Sequence, residues 1–121
     1  MGAESKIEKK AKDLAYEHLG VISSKLVTPG HTGFPDQIFW LPGGKPLLIE
    51  FKAPGEEPRL NQLYIHEQLK QLGYQIEVHD NEIRAFQAII RILETPQLSK
   101  ESCEILARAR SLCAILRSRA G

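Results

Sequence analysis

Cysteine is scarce in this chain, and neither sign of charge predominates. Cys103 and Cys113 are the only two cysteines among 121 residues, and 16 lysines and arginines face 15 acids for a formal net charge of +1. The cysteines lie ten apart in a stretch of helical character, which sets them about 80° apart on a helix. Neither a local disulfide nor a metal clip is expected, and both read as small buried apolar residues. A balanced total argues against a protein that coats nucleic acid through bulk charge. No apolar run approaches the ~18 residues that a membrane span needs. The first residues carry Glu4, Lys6, Glu8, Lys9, Lys10 and Lys12 rather than the apolar core of a signal peptide, so a cytoplasmic, intracellular protein is expected. Histidine and cysteine spacing for zinc, a Ser-His-Asp set and a glycine-rich phosphate loop are all missing.

What is present suits one globular domain over residues 1–121, with 42% hydrophobic and 26% charged residues. Charge is unevenly placed, because residues 97–121 hold five bases against two acids. A near-neutral total can therefore hide acids in a cleft and bases around it.

The stretch Gly33–Lys52, GFPDQIFWLPGGKPLLIEFK, reads as two strands joined by a Gly-Gly turn. Side chains alternate along a strand, so Leu48, Glu50 and Lys52 share one face while Leu47, Ile49 and Phe51 share the other. An acid and an amine inside an apolar run cost desolvation energy unless something pairs with them. Pro35-Asp36 opens the preceding strand, Gln37 to Leu41. Register decides whether Asp36 joins the pair. A turn centred between the glycines points Asp36 away from Glu50. A three-residue loop centred on Gly43 opposes Asp36 to Glu50, and one centred on Gly44 opposes it to Lys52.

Around this hairpin the periodicities predict a helix over 4–19 with the stripe Ile7, Ala11, Leu14, Ala15 and His18, closed by Gly20. Either Glu4 or Glu8 can serve as an acid on its sheet-facing side. A strand over 21–27 follows. After the loop 53–58 comes a helix over about 59–72, whose stripe Ile65, Leu69 and Leu72 extends back to Gln62. That glutamine is placed to hydrogen-bond near the end of the Lys52 strand or simply to bond backbone. A strand over 74–79, a helix over 81–94, a break at Thr95-Pro96-Gln97 and a helix capped by Ser99 complete the chain. His31, His66 and His79 read as exposed or satisfied residues, and Trp40 and Phe39 as core or interface. The order is α-β-β-β-α-β-α-α, an α/β fold with a mixed sheet flanked by helices.

Hydrolysis of a phosphodiester needs a hard divalent cation on oxygen ligands and a positive group to steady the hydroxide or developing negative charge. Asp36 and Glu50 are suitable ligands, the Phe51 carbonyl a third, and Lys52 the ammonium. Pro35-Asp36, thirteen residues, then Glu50-Phe51-Lys52 resembles the PD-(D/E)XK nuclease signature. With Gly33, the PGG at 42–44, IEFKAP at 49–54 and a helix opening with Gln62, the chain is similar to the VRR-NUC family over roughly residues 4–80.

The resemblance implies a restriction-endonuclease-like αβββαβ core at about 4–80, with a helical extension of two helices at about 81–121. It implies a DNA endonuclease using Mg²⁺ or Mn²⁺ on Asp36 and Glu50, with Lys52 as catalytic base or water-orienting group and Gln62 in the active site. The first-helix acid, a further metal ligand or water contact, matches Glu4 better than Glu8. Small members resemble Holliday-junction resolvases, which implies a homodimer on branched DNA, with the apolar C-terminal helix as a candidate dimer element. Two other readings stand beside it: a catalytically silent DNA-binding or assembly module, and a sequence-specific restriction-type endonuclease. The chain is short of material for a base-reading element, which speaks against the second.

Overall fold

The computed structural model describes residues 2–94 and 100–120, with the backbone alone for residues 100–103. Helix α1 (Ala3–Leu19) leads into strands β1 (Ser23–Lys25), β2 (Gln37–Leu41) and β3 (Lys45–Phe51). Helix α2 (Leu60–Gln71), strand β4 (Gln75–His79) and helices α3 (Glu82–Leu93) and α4 (Lys100–Ala120) follow. The expected break at residues 95–97, the cap at Ser99 and the side chain of Cys103 lie outside the described residues.

The sheet runs β1-β2-β3-β4. The first three strands are antiparallel to their neighbours, and β4 joins β3 in parallel after the α2 crossover. Alternation divides the sheet as the sequence requires. Phe39, Leu41, Leu47, Ile49 and Phe51 face Ile7, Ala11 and Ala15 of α1 and Ala85 and Ile89 of α3 in one buried cluster. Although α3 follows the αβββαβ set in sequence, it closes this core beside α1. Leu48, Glu50 and Lys52 take the opposite face, toward α2.

Helix α4 packs Leu106, Ala109 and Cys113 on Phe86 and Ile90 of α3, with Leu14 and Leu19 of α1 alongside. The apolar stripe read as a candidate dimer element is thus largely spent within the chain, leaving Ile105 and Ile115 exposed. No helix among the described residues is long and apolar enough to cross a membrane.

The hairpin settles the register. Leu41 pairs with Lys45 and Gln37 with Ile49, so the loop is Pro42-Gly43-Gly44, centred on Gly43. Both glycines adopt positive φ, 81° and 70°, which a three-residue loop closes without side-chain strain. Extended by one position, this pairing opposes Asp36 to Glu50.

Candidate active site

Asp36 sits just before β2, where its backbone carbonyl accepts Leu26 N–H at 2.8 Å. Its Oδ2 accepts the backbone N–H of Phe51 at 3.0 Å. The half-buried acid is therefore tied to the strand that carries Glu50 and Lys52, between those two residues. Phe51 itself points into the core. Its N–H holds Asp36, and its carbonyl lies between the two charged residues in sequence.

Glu50 is 2% exposed and Lys52 8%. Lys52 Nζ lies 3.9 Å from Glu50 Oε2, beyond hydrogen-bond length, so the ammonium only partly offsets the buried charge. Burial pushes the Glu50 carboxyl up to about 8, and contact and like charge from Asp36 add to the shift, against a smaller lowering by Lys52. The neighbouring Asp36 thus adds to the cost of ionising Glu50. A cation bound between them reverses that balance.

The first-helix acid divides between two turns. Glu4 is exposed in the first turn of α1, and its negative charge reaches both Glu8 and Glu50. Glu8 is half-buried one turn on, with Oε2 3.8 Å from Lys25 Nζ and Oε1 sealed from solvent without a partner. Burial raises its carboxyl, as does the charge of Asp36, while Lys25 and Lys12 pull it down.

Gln62 is half-buried and bonds backbone: its Oε1 accepts the Arg59 N–H at 2.8 Å, fixing the start of α2. Asn61 Nδ2 donates to Thr32 Oγ1 at 2.9 Å, joining α2 to the loop that delivers Asp36. Gly33 in that loop has φ 99°, and a Cβ there would lie 2.7 Å from the Asn61 carbonyl oxygen. Only glycine fits so close an approach in that conformation.

Two features of α2 differ from the sequence reading. Leu72, placed on the buried stripe, is 73% exposed because the helix ends before it at Gln71 and the chain turns away. His66, read as exposed or satisfied, is 3% exposed, and its Nε2 lacks a partner. It lies one turn beyond Gln62, on the face that the Gln62–Ile65–Leu69 spacing already marked. Burial and the nearby Lys70 and Lys52 lower its pKa, so the imidazole is neutral. His79 is satisfied, 2.9 Å from Glu77 Oε1, and His31 is exposed. Phe39 is core as expected, whereas Trp40 is 48% exposed, with its indole N–H on Ser24 Oγ.

The buried side-chain atoms without a partner among the described residues are Glu8 Oε1, Gln37 Oε1, Glu50 Oε1 and His66 Nε2. Three belong to the acids and imidazole just described, and Gln37 directly follows Asp36. Each such atom costs about 1–3 kcal/mol. Glu50 Oε1 and His66 Nε2 face each other on the α2 side of the sheet, whereas Gln37 pairs with Ile49 and shares its face. Glu8 was marked by its place on the sheet-facing side of the first helix, while Gln37 and His66 carried no motif of their own. For His66, the four-residue step from Gln62 was a usable signal.

The chain was compared with known proteins. No family model matches it. It is 45% identical over 64 residues to "Putative nuclease p44" of Acyrthosiphon pisum secondary endosymbiont phage 1, a match spanning 53% of this chain and 69% of that protein. A solved structure described as "VRR_NUC domain" superposes with a TM-score of 0.62 at 28% identity, covering 79% of this chain and 99% of the other.

Proposed function

Since the chain belongs to the VRR-NUC family of nucleases, we propose that it is a divalent-metal-dependent endonuclease that hydrolyses phosphodiester bonds in branched DNA. The observation that carries this reading is the Gly43-centred register, which brings Asp36 to Glu50 and leaves Lys52 on the same face.

The donor set fits Mg²⁺ or Mn²⁺. Glu50 is buried with its nearest counter-charge, Lys52 Nζ, only at 3.9 Å, and both acids offer hard oxygen. Among the described residues, no three His, Cys, Asp or Glu side chains are grouped to enclose a metal by themselves. Small hard cations do not require that, because they keep several waters and take one or two carboxylates. Asp36 and Glu50 would hold the ion, with the Phe51 carbonyl as a third donor and Glu4 or Glu8 reaching it directly or through water. The bound ion supplies Lewis acidity and lowers the pKa of water.

The remaining work falls to the chain. Lys52, nearly sealed from solvent, places its ammonium beside Glu50, where it orients the attacking water and opposes charge developing on the phosphate. Gln62 secures the first turn of α2 by accepting the Arg59 N–H. A homodimer would set two such sites across a four-way junction by two-fold symmetry. Because the α4 stripe is occupied internally, that dimer needs another surface.

The test is a panel of labelled four-way junction, flap, single-stranded and linear duplex DNA with Mn²⁺, Mg²⁺ or EDTA. Cutting that needs metal and favours the branched substrates is expected. Tight junction binding without cutting in either metal would identify a silent module instead. Equal cutting of all four substrates would remove the branched-DNA preference.

A further inference from the structure

His66 is a buried group beside Glu50 that the chemistry above leaves idle. Its Nε2 and Glu50 Oε1 face each other 3.9 Å apart. Both atoms are sealed from solvent, and neither has a hydrogen-bond partner. The separation exceeds a hydrogen bond by roughly 1 Å. A buried donor-capable nitrogen and a buried acceptor oxygen left alone so close together are each other's natural complement.

Resting on the nuclease reading, we propose that His66 is a positioning residue: its Nε2–H donates to Oε1 of Glu50 and holds that carboxylate in the orientation that binds the divalent cation. The two oxygens of Glu50 then have different neighbours, since Oε2 is the one nearest Lys52 Nζ. The division matters, because a carboxylate fixed at one oxygen presents the other in a defined direction.

An uncharged imidazole suits this role better than a lysine or arginine would. It orients the acid without competing with the cation for its charge. Its own position is fixed by the start of α2, through Gln62 on the Arg59 N–H and Asn61 on Thr32. The Thr32 loop is also the one that delivers Asp36. The geometry thus links both metal-binding acids to one helix. A leucine at position 66 would fill the space without burying an unpaired nitrogen, so the imidazole is explained by what it does for Glu50 and not by packing.

The experiment is Mn²⁺ titration of the full chain, followed by the paramagnetic signal of the free ion, on wild type, His66→Leu, His66→Gln and Asp36→Asn. Folding of each is checked by circular dichroism and thermal melting. His66→Leu is expected to weaken Mn²⁺ binding about 10–100-fold, and His66→Gln, which keeps a donor, to restore most of the loss. Electron spin-echo spectra of Mn²⁺ bound to wild type should show no directly coordinated nitrogen. Wild-type affinity in His66→Leu, or failure of folded His66→Gln to rescue, would overturn the proposal. A ¹⁴N coupling that disappears in His66→Gln would also overturn it, by making His66 a ligand. Those results leave the nuclease reading intact. Absence of Mn²⁺ binding to wild type, or binding indifferent to Asp36→Asn, would remove the metal site itself and both readings with it.

Discussion

Asp36 Oδ2 accepts the N–H of Phe51 at 3.0 Å, so one acid of the site is fastened to the backbone of the strand that carries the other. This bond separates two roles of Asp36, as backbone acceptor and as negative charge beside Glu50. Asp36→Asn keeps an acceptor and removes the charge, whereas Asp36→Ala removes both. The metal-free Asn variant is expected to be more stable than the Ala variant by about 1 kcal/mol, as read by denaturant unfolding. In both variants, carboxyl NMR titration should place Glu50 below the value of about 8 that it has in the parent chain.

The raised carboxyl of Glu50 makes stability depend on pH in a defined direction. Its folded value lies above the ordinary 4.5, so the folded state binds more protons than the unfolded state between those values. Stability of the metal-free protein therefore falls as pH rises from about 4.5 to about 8, by an amount on the order of a few kcal/mol. Glu50→Gln should flatten this slope in melting curves taken across the range. If Glu50 holds Mn²⁺ or Mg²⁺ as proposed, binding displaces its proton, and apparent affinity is expected to rise with pH up to about 8.

Gly33 tests whether the loop and α2 act as a unit. Alanine there meets the Asn61 carbonyl oxygen at 2.7 Å in a left-handed conformation. Gly33→Ala is expected to cost on the order of 1–3 kcal/mol and to weaken Mn²⁺ binding by displacing Asp36. Denaturant midpoints and the Mn²⁺ titration measure the two effects separately.

Helix α4 should matter to stability and not to chemistry. Leu106 is 5% exposed against Phe86 and Ile90. Leu106→Ala is expected to lose about 2–5 kcal/mol while the folded fraction cuts DNA at the parental rate. A selective loss of cutting in folded protein would mean that α4 takes part in the site.

The sheet and its helices were legible in the sequence because periodicity is a property of consecutive residues. The alternation through Leu47–Lys52 and the stripe Ile7–Ala11–Ala15 each report a face directly. Whether Asp36 met Glu50 was not legible. One residue of loop length reverses that outcome, and Pro-Gly-Gly-Lys accommodates several turns. His66 was missed because burial of a histidine depends on how α2 rolls against the sheet. The helix meets the loop at Thr32 and Gly33 through Asn61, contacts distant in sequence that periodicity does not report. Leu72 was misplaced for a related reason: its spacing fits the stripe, but the helix ends before reaching it. The choice between Glu4 and Glu8 turned on side-chain direction at the first turns of α1, where helical period favours neither.

Single-turnover cleavage of a labelled four-way junction bears most directly on the account. Wild type is compared with Asp36→Asn, Glu50→Gln and Lys52→Ala in Mn²⁺, and melting curves confirm that each variant is folded. The wild type should cut and lose all activity in EDTA, and each folded variant should fall by at least about 10²-fold. A folded Glu50→Gln protein cutting at the wild-type rate would contradict the assignment of these residues to one catalytic site.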